Sequence, residues 1–176
     1  MCDWRPGRLV LSCWLLLSVA ASACLADLGL DKAALLKKYG EPEKSAIPPL
    51  AGCWDEVLVF PKGELLIQVY VKNGKACSVV YGHNKAGQPI SQTDILLLLN
   101  LSTAGGTWQP QTITDVGVIN FARSDGKAFA SYDGNDAKPC LNVMTEELWG
   151  KMNARKKKAA TETGGAPAAK PPAPRK

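Results

Sequence analysis

Histidine is almost absent from this chain: His83 is the only one in 176 residues. A histidine-based metal centre or a serine–histidine triad therefore has almost no material. The sequence has no CxxC pair, no HExxH and no phosphate-cradling glycine loop. The short motifs of zinc ribbons, metalloproteases and nucleotide-binding folds are thus missing. Carboxylates occur as neighbours, Asp55-Glu56 and Glu146-Glu147. On strands such neighbours point to opposite faces, so neither pair makes a two-carboxylate site by itself. His83 lies in the polar loop Gly82–Pro89 and reads as a solvated residue. No catalytic residue, metal ligand or cofactor site is expected, and the chain reads as non-enzymatic.

Long apolar runs are also missing. The longest is at the N-terminus, where Arg5 and Arg8 precede Leu9 to Ala20 and then the small residues Ala21-Ser22-Ala23. A basic start, an apolar stretch of about 12 residues and an A-x-A end form a secretory signal pattern. A membrane span needs roughly 20 apolar residues, so no transmembrane span is expected in the mature chain. Two cleavage positions stay open. Ala21-Ser22-Ala23 before Cys24 matches a lipobox except at Ala21, where that pattern usually has Leu, and cleavage there would leave Cys24 acylated. Cleavage after Ala26 would release an unmodified chain. The expected divisions are a signal at 1–26 (ending at 23 for a lipoprotein), one domain at 27–150 and a tail at 151–176.

Cysteine is sparse once the signal is removed: Cys53, Cys77 and Cys140 remain in the fold, with Cys24 undecided. Three is odd, so these allow at most one internal bridge and leave a free thiol. With three strands in order, Cys53 and Cys77 would lie on strands separated by a third. At about 4.8 Å per strand that is beyond bridging reach, which leaves Cys140 no worse a partner for either. Three buried thiols are the plain alternative.

The strongest structural signal runs from Trp54 to Gly82. DEVLVF, ELLIQVYV and KACSVVYG are three strand-like runs separated by PKG and KNG. Asn73-Gly74 suits a type I′ turn, which needs positive φ at both residues. A two-residue turn there sets Val71 opposite Ala76, Val69 opposite Ser78 and Ile67 opposite Val80, with that face towards the core. Tyr70 would then oppose Cys77, and Gln68 would oppose Val79. Ahead of the meander, Asp31 to Gly40 reads as a capped helix with Leu35 and Tyr39 on one face. Ser91-Gln-Thr-Asp94 is a capping-box variant opening a helix from Ile95 to Leu99 or a little beyond. Further strands are expected at Val116–Arg123, Lys127–Tyr132 and Cys140–Met144. Trp108 and Trp149 read as core edges.

Charge is divided unevenly. Residues 151–176 carry eight Lys/Arg and one Glu, whereas residues 27–150 carry eleven Lys/Arg and fourteen Asp/Glu. Past Met152 the tail has no large apolar residue and is expected to be disordered. Its cluster Arg155, Lys156, Lys157 and Lys158 reads either as solubilising or as attracted to polyanions. Export argues against nucleic acid as that polyanion.

The motif Leu36-Lys-Lys-Tyr-Gly-Glu-Pro42, then Trp54, then the strand pair around Lys72-Asn-Gly-Lys75 ending at Tyr81, resembles the SmpA/OmlA-type (BamE-like) envelope domains. The match covers residues 31–82. Those domains share a helix-pair-on-sheet layout with β-lactamase-inhibitor-like proteins. The chain departs from the pattern in its later strands, 116–144, and in its basic tail. The stretch from Ser91 to Asn100, with a following tryptophan and an Arg-Ser-Asp-Gly turn, is also similar to exported bacterial proteins of unknown role. The resemblance implies a protein-binding or scaffold role in the bacterial cell envelope, periplasmic or lipid-anchored. The expected fold is α+β: an antiparallel meander packed against two short helices, with a disordered tail. Two other functions remain open: an envelope protein whose tail docks on anionic lipid or wall polymer, and a thiol-dependent enzyme.

Overall fold

The computed structural model describes residues 27–43, 45–113 and 118–163. The expected signal segment with Cys24, and the expected tail from 164 onwards, lie outside the described residues. Helix α1 (Lys32–Tyr39) leads into β1 (Glu56–Lys62), β2 (Leu65–Lys72) and β3 (Lys75–His83). Helix α2 (Gln92–Leu101) leads into β4 (Trp108–Ile113), β5 (Val118–Arg123), β6 (Ala128–Asp133) and β7 (Cys140–Thr145), and α3 (Glu146–Thr163) follows. All seven strands form one antiparallel sheet in the order β1-β2-β3-β7-β6-β5-β4. Two meanders, each preceded by a helix, are thus joined through their last strands, β3 and β7.

This corrects the expected fold class. Among the described residues the fold is a β-rich open sheet of seven strands with three helices, not a meander on two short helices. Two physical reasons account for the difference. Strand β4 contains Pro110, which cannot donate to a ladder, but β4 is an edge strand and tolerates it. The stretch after Glu146 is helical because Leu148, Trp149 and Met152 pack on the sheet, with Trp149 stacked on Phe129 at 5.4 Å. That anchor carries the helix through the basic run to Thr163.

The core lies on the face that meets α1 and α2. Leu35, Ile95, Leu98 and Leu99 pack there against Phe60, Val69, Val71, Val79, Tyr81, Leu141 and Val143. Asp31 caps α1 by accepting from Ala34 N at 2.8 Å, and Ser91 caps α2 by accepting from Asp94 N at 3.1 Å. Asn73 and Gly74 take φ of 50° and 75°, as the type I′ turn requires. The pairing beyond that turn differs from expectation. Val71 does oppose Ala76, but Tyr70 opposes Ser78, Val69 opposes Val79 and Ile67 opposes Tyr81. A bulge between Tyr70 and Val71 leaves Cys77 as the extra residue. A one-residue shift moves every later side chain of β3 to the other face. Val79 and Tyr81 therefore enter the core, while Ser78 and Val80 turn away from it.

Asp27, which is 1% exposed, ties the segment ahead of α1 to the sheet. The hydroxyls of Tyr39 and Tyr81 donate to its Oδ2 at 2.7 and 2.6 Å, and the Lys38 ammonium donates to Oδ1. Both tyrosines are pushed well above the usual phenol range, first by burial; Tyr81 and then the Asp27 carboxylate add to this at Tyr39, and the Asp27 carboxylate adds to it at Tyr81.

Candidate functional site

The sheet face opposite α1 and α2 is only partly covered. Helix α3 and Trp54 close one end, where Leu148 and Met144 pack with Cys53. The remainder forms a groove of about 630 Å³ over β2, β3 and β7, walled by the loops after β3 and before β7. That volume falls within the range of ligand and peptide sites. Its floor alternates apolar and amide groups, with Leu66, Tyr70 and Val80 beside Gln68 and Asn142. A smaller cavity of about 140 Å³, also bounded by Tyr70 and Asn142, continues the groove towards Trp54 and Met152.

The chain makes this surface by local rules. The bulge at Cys77 turns Ser78 and Val80 outwards, and Ser78 Oγ donates to Asn142 Oδ1 at 2.8 Å across the β3–β7 junction. Trp54 meets the Tyr70 ring edge-on at 4.8 Å and fixes its orientation. The loop after β3 is tethered by Asn84, which donates from its side chain to the Gly63 carbonyl at 2.7 Å. The opposite wall is built from turns in which Asp133 and Asp136 accept from Asn135 N and Lys138 N. His83 borders the groove, and its Nδ1 is buried with no hydrogen-bond partner among the described residues. The expectation of a solvated loop residue therefore gives way to a half-buried one at the end of β3.

The three cysteines of the fold do not converge on one site. Cys140 pairs with Gly82 in the groove. Burial, then Asp136 and Asp133, push its thiol up, so it stays protonated and is a poor nucleophile at neutral pH. Burial, followed by Cys140, raises the Tyr70 phenol. Cys53 and Cys77 lie together at the other end of the same face, in contact with Leu148 and Lys151. The estimate that a whole strand separates them fails for a geometric reason. Strand β1 begins at Glu56, and the turn between Leu50 and Trp54 folds Cys53 over the sheet towards β3. Cys77 Sγ donates to the Tyr70 carbonyl at 3.3 Å and lies 3.7 Å from the Cys53 carbonyl oxygen.

The basic run sits on α3 rather than in a disordered tail. Arg155 Nη1 reaches Cys53 Sγ at 3.6 Å, and Lys156 and Lys157 are exposed. Four consecutive helical residues point in successive directions about 100° apart, so the run does not form a single flat basic face. Trp108 packs on the main core edge and Trp149 on Phe129, in keeping with their reading as core-edge residues. Among the described residues, no helix is long and apolar enough to cross a membrane. No group of three or more metal-ligating side chains occurs among them either.

Sequence reasoning missed the groove because Gln68, Tyr70, Val80 and Asn142 come from three strands. Their one advance signal was the outward parity of Tyr70 and Gln68 on β2, which the expected pairing already placed away from the core. Comparison with protein-family models gives no match, and comparison with curated proteins gives none. Among solved structures, a cysteine-rich secretory protein of Staphylococcus aureus is similar at 16% identity with a TM-score of 0.40. The likeness covers 69% of this chain and 44% of that one. At that distance it carries no function across.

Proposed function

We propose that this protein is an exported, non-enzymatic binding domain of the bacterial cell envelope, and that its groove receives an extended segment of a partner protein. The observation behind this is the half-open sheet face, with an aromatic ring, two amides and apolar side chains at its floor. Such a floor suits a peptide: side chains settle on Tyr70, Leu66 and Val80 while main-chain groups meet Gln68 and Asn142. The thiol in the groove is held protonated, which favours binding over nucleophilic chemistry. The signal-like N-terminus and the resemblance of residues 31–82 to SmpA/OmlA-type domains support the envelope setting. Whether Cys24 is acylated decides between a tethered and a free form. Replacing Asn142 with Arg places a long charged side chain in the groove without disturbing the core face. Partner capture should then fall at least tenfold, while loss of the Ser78 hydrogen bond costs only about 1 kcal/mol and the variant still unfolds cooperatively. Equal capture by the variant refutes the groove as the binding site.

A second reading rests on α3. Its outer turns are exposed and basic, and an exposed cationic arm is attracted to anionic lipid or wall polymer. Lys156→Gln with Lys157→Gln should release the protein from anionic vesicles at physiological salt. Undiminished vesicle binding removes this reading.

A further inference from the structure

We infer that Cys53 and Cys77 are a dithiol pair that closes into a disulfide, leaving Cys140 as the free thiol of the fold. Both side chains border one small cavity of about 10 Å³ together with Lys72, Thr145, Glu147, Leu148 and Lys151. They belong to one packed cluster with Met144 and Leu148. The Cys77 sulfur is already 3.7 Å from the Cys53 carbonyl oxygen. Cys140 is remote from this place: it opposes Gly82, five residues along β3 from Cys77, or on the order of 16 Å at the rise of a strand. Neither partner of the pair can therefore reach Cys140 without unfolding the sheet. The turn that carries Cys53 is a short connection held by Leu50–Trp54 backbone bonds, so it can adjust where strand residues could not.

The reaction balances with a disulfide-bearing oxidant such as glutathione disulfide. One cysteine thiolate attacks the oxidant, whose S–S bond breaks to give a mixed disulfide and one departing thiolate, which takes a proton from solvent. The second cysteine, having lost its proton to solvent, attacks the protein sulfur of that mixed disulfide and expels the second glutathione as a thiolate, which takes a proton from solvent. Two protein thiols are oxidised and one oxidant disulfide is reduced. Burial places the Cys77 thiol at about 11, which makes the exchange faster in mildly alkaline buffer than at neutral pH.

The test uses the full chain, purified reduced and then incubated with glutathione disulfide in mildly alkaline buffer. Remaining thiols are alkylated and the protein is digested with trypsin without reduction. The expected map shows residues 45–62, which contain Cys53, linked to residues 76–85, which contain Cys77, with Cys140 alkylated. Cys140→Ser should leave that link intact, and Cys77→Ser should abolish it. Alkylation of Cys53 and Cys77, stable glutathione adducts on both, or a link through Cys140 each overturns the inference. The result is independent of the groove and of the compartment, so it stands or falls apart from the proposed binding role.

Discussion

Replacing Asp27 with Asn probes how the segment ahead of α1 is tied to the sheet. The Asp27 carboxylate is 1% exposed and accepts from two phenols and one ammonium. An amide keeps the shape but removes the charge and turns one acceptor into a donor. If the remaining oxygen stays with Tyr39 and Tyr81, the new NH2 faces the Lys38 ammonium, donor against donor. If it turns to Lys38, both phenols lose their acceptor. A hydrogen bond to a charged group contributes about 1.5–3 kcal/mol, and a buried group left without its partner costs a further 1–3 kcal/mol or so. Relaxation of the partly exposed Lys38 side chain offsets some of this, so the net loss should be about 3 kcal/mol. For a domain of this size that lowers the melting temperature by roughly 10 °C. Thermal and urea unfolding of Asp27→Asn and of Lys32→Ala provide the comparison. The Lys32–Glu56 pair is exposed on both sides, so Lys32→Ala should change stability by no more than about 0.5 kcal/mol. If both variants melt within a degree or two of the parent, Asp27 does not close the core and this reasoning is wrong.

Leu148 is 5% exposed on the sheet-facing side of α3, and Leu148→Ala should cost about 2–4 kcal/mol while lowering the far-UV helical signal of residues 146–163. An unchanged helical signal would show that α3 does not depend on the sheet. Alkaline pH should destabilise the fold. The Cys77 thiol is raised from 9.0 to about 11 by burial, and the Tyr39 and Tyr81 phenols are raised in the same direction. The native state therefore holds protons that the unfolded chain releases first. With Cys53 and Cys77 kept reduced, this stability is complete below about pH 9 and is lost as pH rises through about 11, which urea midpoints at stepped pH will show. A midpoint that stays level across that window would contradict the assigned burial.

How much of this was legible beforehand varies by element. Asn73-Gly74 declared its turn because few residue pairs accept two positive φ angles, and the caps Asp31 and Ser91 declared two helices. The bulge carried no such marker. Cys77 fits a regular strand as well as a bulge, so the β3 pairing went wrong one residue past a correctly placed turn. Strand β4 was hidden by Pro110, whose cost vanishes only at a sheet edge. Helix α3 was hidden because its stability comes from three apolar anchors, while its visible composition past Met152 is that of a solvated tail. The groove depends on β3 meeting β7, a contact between residues about 60 positions apart, as in Ser78 with Asn142. No local pattern encodes it. The closeness of Cys53 and Cys77 depends likewise on a turn folding over a sheet face.

The same long-range junction shapes both candidate sites. The β3–β7 pairing brings Asn142 to Tyr70 and Gln68, and it sets Met144 beside Cys53. On the other face, Leu96, Leu97 and Leu101 of α2 stand 52%, 56% and 41% exposed. That ridge is a competing surface for a protein partner, and it lies across the sheet from the groove.

A direct comparison of those two faces tests the central claim. A photo-crosslinking amino acid is introduced at Gln68 in the groove and, separately, at Leu97 on α2, in the full chain expressed in its own cells. The expected result is one discrete protein adduct from the Gln68 position, lost when Asn142→Arg blocks the groove, and no such adduct from Leu97. An adduct formed at Leu97 and absent at Gln68 would contradict the account and move the binding surface to the helical face.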